Sequence, residues 1–262
     1  MKTPSSGLRR GPAAFTIIEL LVVISIIAIL AALLLPAVTL GMKKAQEKKA
    51  QTEETQIVQA IQSYYSTYSR YPVSSNTLYS ATQSGQDFTF GTVNTAYGGT
   101  ALLNNRILPG NAFNTNNAEV MAILLDLTQN QYGAATVNAN HVKNPQQIKF
   151  LDAKMSGNTN LAGVGPDLLY RDPWGNPYII SMDLNYDSKC LDQFYGLRTV
   201  SQSAGSAGLD GLFNSTDANG AGDHFEFNGG VMVWSFGPDG KYDSTKKANQ
   251  DVNADNVVSW KQ

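Results

Sequence analysis

From Phe15 to Leu40 the chain is almost unbroken in apolar residues, reading FTIIELLVVISIIAILAALLLPAVTL. As a helix rising 1.5 Å per residue this stretch is about 39 Å long, enough to cross a hydrocarbon layer of about 30 Å with some tilt. A secretory signal carries a shorter apolar region, about 7–15 residues, so the pattern predicts a single-pass membrane helix. The sequence then turns polar over Lys43–Thr55. Beyond it, Ile57, Ile61, Tyr64, Tyr65 and Tyr68 recur at helical spacing and give one apolar face, read as core. One helix is therefore expected to run on to about Tyr68. Tyr71-Pro72 closes it, because the residue before a proline is driven out of the helical region.

Val73 to Pro166 lose that periodicity and are rich in Asn, Thr, Gly, Ser and Gln. One helix is predicted there, Ala118–Gln129, with Val120, Met121, Leu124, Leu125 and Leu127 as its apolar set. Asn144-Pro145 reads as a turn and Gln147–Leu151 as a short strand or helix. No internal repeat is present. Further on, Asp172-Pro173-Trp174-Gly175-Asn176-Pro177-Tyr178 is a turn feeding a strand at Tyr178-Ile179-Ile180, with Trp174 covering the core. Val231–Phe236 is a second apolar strand, expected to pair with Phe225–Phe227 or with Tyr178–Ser181.

Composition narrows the chemistry. Net charge is −2 with 15% charged residues, which implies no nucleic-acid partner. Lys2, Arg9 and Arg10 precede the first acidic residue, Glu19; the rest of the chain is mildly acidic. Cys190 is the only cysteine, so no intramolecular disulfide forms. His141 and His224 are the only histidines and stand far apart in sequence. A zinc site or a Ser-His-Asp triad has almost no material here, and no enzymatic activity is expected.

Glu19 breaks the apolar run. A carboxylate in a membrane span costs about 2.5–3.5 kcal/mol on insertion scales and usually has a partner. It lies four residues after Phe15, on the same helix face. Cleavage before Phe15 would place a new α-amino cation within its reach. The basic leader, the small Ala14 and the string Phe15-Thr16-Ile17-Ile18-Glu19-Leu20 resemble the processing segment of type IV prepilins. That resemblance implies cleavage between Ala14 and Phe15 by a prepilin peptidase, which also N-methylates Phe15. It makes Glu19 the carboxylate that meets a neighbouring subunit's amine during filament assembly. The family usually has Gly where Ala14 stands. Pro36 removes one backbone donor and is expected to kink or loosen the helix near Ala32; in pilins such a proline accompanies local melting in the filament.

The turn DPWGNPY and the run Tyr64, Tyr68, Arg70-Tyr71-Pro72 resemble the G subunit, the major pseudopilin of type II secretion systems. The resemblance implies an α+β, pilin-like fold: a long N-terminal helix, half membrane and half amphipathic, packed on a small antiparallel sheet domain with a C-terminal loop. The expected organisation is a leader at 1–14, an assembly helix at 15–40, its amphipathic continuation at 41–72, a variable insertion at 73–166, and sheet plus loop at 167–262. The same resemblance implies Ca²⁺ in the C-terminal loop, held by the carboxylates of Asp239 and Asp255 and the carbonyls of Phe236 and Asn253, in place of a disulfide. Ca²⁺ takes six to eight oxygen ligands, which a flexible acidic loop supplies. A second acidic loop, Asp210–Asp223, lacks a glutamate at the twelfth position and reads as a solvated insertion.

The family's partners would be other copies of the chain in a helical filament, minor pseudopilins, the prepilin peptidase, and an assembly ATPase with its inner-membrane platform. Lys43, Lys44, Lys48 and Lys49 outnumber the leader's basic residues, and the positive-inside rule alone would put the C-terminal part in the cytoplasm. The resemblance places it in the periplasm. Two alternatives stand beside this reading. One is a major or minor pilin of a type IV pilus, used for adhesion, motility or DNA uptake. The other is a single-pass membrane protein with an outer binding or enzymatic domain.

Overall fold

A computed structural model describes residues 16–93 and 115–261. Ala14 and Phe15, the expected processing positions, lie outside the described residues. Helix α1 spans Ile17–Tyr68 and ends where Ser69 takes a positive φ of 51°. Helical backbone continues through Pro36 from Ile17 to Tyr68. One missing donor removes a single backbone bond, and the turns on either side keep theirs.

The chain divides into two compact units, Met1–Lys44 and Ala45–Gln262. In the first, the apolar side chains from Ile17 to Met42 are exposed on every side of the helix. An all-round apolar helix is stable only when lipid or other helices cover it. Among the described residues α1 is the one helix long and apolar enough to cross a membrane.

In the second unit α1 buries Ala50, Glu54, Ile57, Ala60, Ile61 and Tyr64. Tyr65, expected on this face, is instead 37% exposed and packs at a tilt against Tyr71, with ring centroids 4.8 Å apart. The remaining elements are α2 (Ser75–Ser84), β1 (Phe88–Phe90), α3 (Ala118–Leu124), β2 (Gly163–Val164), β3 (Tyr170–Arg171), β4 (Ile179–Met182) and β5 (Cys190–Leu191). They continue through α4 (Arg198–Ser201), β6 (Gln202–Ala204), β7 (Ala207–Gly208), β8 (Phe213–Asn214), β9 (Phe225–Phe227), β10 (Val231–Ser235) and β11 (Val257–Val258).

The central sheet is antiparallel with strand order β1-β4-β10-β11. Val233 lies opposite Ile180 and Trp234 opposite Val258. Of the two partners expected for the Val231 strand, β4 is the one it takes; Phe225–Phe227 belongs to a second sheet, β5-β9-β8-β7-β6. Successive strand residues face opposite sides, and here both sides are buried. Ile180, Met182, Val231 and Val233 join the core beneath α1 and α3. Ile179, Met232 and Trp234 join the other core with Phe194, Tyr195, Phe225 and Trp260. Trp174, expected to cover the core, is only half-buried and belongs to neither cluster.

The stretch 73–166 supplies structure that polar composition concealed. α2 is a helix that the sequence pattern does not predict: Ser74 Oγ accepts the Thr77 N–H at 3.2 Å, and Gly85 closes the helix at φ 65°. β1 pairs with β4, and α3 buries Val120 to Leu124. The helix expected over Ala118–Gln129 stops at Leu124. Its carbonyl is taken by the N–H groups of Phe150 (2.9 Å) and Leu151 (3.2 Å), and Asp126 turns the chain at φ 55°. Gln147–Leu151 is consequently neither strand nor helix. The Asp210–Asp223 loop, expected to be a solvated insertion, contains β8 and buries Leu212 in the second core.

Candidate functional site

At the start of α1, Thr16 and Glu19 form a reciprocal cap. Glu19 Oε2 accepts the Thr16 N–H at 2.8 Å and the Thr16 hydroxyl at 2.8 Å, while the Glu19 N–H donates to Thr16 Oγ1 at 3.2 Å. This satisfies one orphan donor of the helix end and engages the carboxylate that sequence reasoning singled out. Pro36 lies in the same apolar stretch, and its carbonyl accepts the Thr39 hydroxyl at 2.9 Å.

In the second unit, Asp172 builds the turn before β4. Its Oδ1 accepts the N–H groups of Trp174 and Asn176, both at 2.9 Å, and the Gly175 N–H closes on the Asp172 carbonyl at 3.0 Å. Gly175 takes φ 95°, and a Cβ there would lie 2.9 Å from the Asn160 carbonyl oxygen. The turn delivers Tyr178 to α1, where its hydroxyl donates to Glu53 Oε2 at 2.7 Å. Asn117 ties the same corner: its Nδ2 donates to the carbonyls of Tyr170 and Tyr178, and its Oδ1 accepts the Tyr170 N–H.

The C-terminal loop leaves β10 through Phe236 and Gly237. Gly237 has φ 67°, and a Cβ there would stand 2.2 Å from the carbonyl oxygen of Asp255, so the two arms of the loop touch at a point only glycine allows. Asp239 is exposed; Asp255 is half-buried with its Oδ1 buried and lacking a hydrogen-bond partner. Burial, then the nearby negative charge of Asp239, push the Asp255 carboxyl above the usual carboxylate range.

Asn253 plays a part beyond the one expected of it. Its Nδ2 donates to the carbonyls of Asp243, Lys246 and Lys247, and its Oδ1 accepts the Asp243 N–H. The side chain thus folds the stretch between Gly240 and Asp251. Its carbonyl accepts the Asn256 N–H at 3.3 Å and keeps one lone pair.

Two like-charged carboxylates, one with an orphaned buried oxygen, form a donor set that suits a hard cation. Among the described residues no three His, Cys, Asp or Glu side chains are placed to hold a metal ion. A cation there would lean on two carboxylates, main-chain carbonyls and solvent, a set Ca²⁺ accepts.

Several buried acids carry no expectation from the sequence, Glu54 and Asp87 among them. Glu54 is fully buried in α1, and neither carboxylate oxygen has a hydrogen-bond partner. Burial, then the negative charges of Asp172 and Glu53, raise its pKa well above the usual range. It stands four residues after Ala50 and three before Ile57, so the helical stripe alone marks it for burial. Asp87, before β1, accepts the Leu191 N–H at 2.6 Å, and burial pushes its pKa up to about 7. Its polar neighbourhood gave no signal in the sequence.

Residues 9–35 match the family model of the prokaryotic N-terminal methylation motif. That span includes Ala14, Phe15 and Glu19 and supports a type IV pilin-like protein. No curated protein and no solved structure matches the chain.

Proposed function

We propose that this type IV pilin-like chain is a structural subunit of a type II secretion pseudopilus, polymerising through its N-terminal helix to help drive protein export. The observation that carries the reading is a carboxylate, Glu19, in the first turn of an otherwise apolar helix, inside the matched methylation motif. On this reading a prepilin peptidase cuts between Ala14 and Phe15 and methylates the new amine. Held by Thr16 in the single chain, the Glu19 carboxylate exchanges that internal cap for the amine of a neighbouring subunit. Opposite charges in a medium of low dielectric attract far more strongly than in water, which favours one register between adjacent helices. Lipid covers the apolar helix before assembly, and neighbouring helices cover it afterwards. An assembly ATPase and its inner-membrane platform would add subunits, with minor pseudopilins as further partners and the second unit in the periplasm.

The string Asp172–Tyr178 and the acidic C-terminal loop favour a pseudopilus over a pilus, since both resemble the G subunit. In this reading Ca²⁺ is held by Asp239, Asp255 and the carbonyls of Phe236 and Asn253. It would neutralise the two carboxylates and brace a loop that has no disulfide.

Mass spectrometry of the membrane-extracted protein tests the processing step. A mature chain beginning at a methylated Phe15 is expected, and one still beginning at Met1 would favour a single-pass anchor with an outer binding domain. Glu19→Gln is expected to abolish filaments while the monomer still reaches the membrane. Deletion of the chain should stop protein export. Long surface fibres with export intact would instead identify a pilus.

A further inference from the structure

The turn at Asp172 and the loop after β10 are joined by buried side chains. Asp172 and Ser235 are both fully buried. Ser235 Oγ donates to Asp172 Oδ2 at 2.5 Å and accepts the Gly237 N–H at 3.1 Å. The Gly237 carbonyl accepts Asn176 Nδ2 at 3.4 Å, and the Asn176 N–H returns to Asp172 Oδ1 at 2.9 Å. The ring closes on itself across two segments about sixty residues apart in sequence.

Its polarity is set by chemistry. An ionised carboxylate only accepts, so the Ser235 hydroxyl must spend its proton on Asp172 and offer a lone pair to Gly237. The Gly237 N–H is thereby pinned toward Ser235. Among the described residues the peptide bonds are trans, and in a planar trans peptide the carbonyl points opposite the N–H. The carbonyl of that peptide belongs to Phe236. Fixing the Gly237 N–H therefore aims the Phe236 oxygen away from the buried ring, on a loop arm that touches Asp255.

We propose that Asp172 and Ser235 are positioning residues that orient the Phe236 carbonyl for a divalent cation held by Asp239 and Asp255. The proposal rests on the calcium reading above and assigns the DPWGNPY turn a purpose beyond making a corner: it is the platform of the loop.

Equilibrium dialysis of the full chain in detergent micelles against radioactive Ca²⁺ tests it, with metal-free thermal melts alongside. The unmodified chain should bind Ca²⁺, and Asp255→Asn should not. Ser235→Ala should weaken binding at least tenfold, and Ser235→Thr, which keeps the hydroxyl, should restore it. Asp172→Asn places a donor against the Ser235 hydroxyl and should weaken binding comparably, which serves if Ser235→Ala does not fold. A purely structural ring would lower the metal-free melting temperature and leave Ca²⁺ affinity unchanged in the folded variants. That result overturns the positioning role while the calcium reading stands. No binding by the unmodified chain overturns both.

Discussion

Replacing Glu54 by methionine should stabilise the protein. Its two carboxylate oxygens are buried without a donor, among the negative charges of Asp172 and Glu53. A buried polar group left unsatisfied costs about 1–3 kcal/mol. Methionine has nearly the same length, is flexible enough to fill the site, and needs no partner. Glu54→Met is expected to add about 2 kcal/mol, which for a chain of this size raises the melting temperature by roughly 4–8 °C.

The pH dependence has a definite sign. The folded-state pKa of Glu54 is raised, so the folded chain holds a proton that the unfolded chain releases above about pH 4.3. Its contribution to stability is fully present below that value and is lost as pH rises toward the folded-state pKa. The gain from Glu54→Met should accordingly be larger at pH 8 than at pH 5. Thermal melts followed by near-ultraviolet circular dichroism, on the full chain in detergent at both pH values, measure it. A variant that melts lower than the unmodified protein at both, or a gain that does not grow with pH, would refute the reasoning.

Other perturbations probe separate parts of the structure. Asp87, with its pKa pushed up to about 7 by burial and the charges of Asp183 and Asp187, should lose stability as pH rises through neutrality. Asp87→Asn should remove a fall on the order of 2 kcal/mol between pH 5 and 8, read by denaturant titration. Asn117→Ala strips three buried bonds to Tyr170 and Tyr178 and should cost about 3 kcal/mol, seen as a lower denaturant midpoint. Gly237→Ala places a Cβ 2.2 Å from the Asp255 carbonyl at a positive φ and should cost about 2 kcal/mol. Limited proteolysis should then cut between Asp239 and Asp255, where the unmodified chain resists.

Elements with their own local signal were legible before folding. The course of α1 to Tyr68 follows from apolar periodicity and the Tyr71-Pro72 stop, because helical bonds join residues four apart. The turn at Asp172 was legible because its bonds close within the motif itself. Asn253 is expected to offer its carbonyl, yet its side chain organises the preceding loop, something that spacing alone does not reveal. α2 was missed because it buries only Thr77 and Ala81, leaving too narrow an apolar stripe to detect.

By itself, then, the sequence determined the membrane-length helix, the carboxylate in its first turn and the positions of the two principal strands. Those features depend on covalent spacing and on the cost of placing polar or apolar groups in water or lipid. Only the tertiary structure decided which partner β10 would take, that α3 would end at Leu124 beneath Phe150 and Leu151, and that Asp172 would reach Ser235 and the C-terminal loop. Each of those outcomes turns on groups far apart along the chain competing for the same buried hydrogen bonds. Such a contest has no winner until packing brings the competitors together.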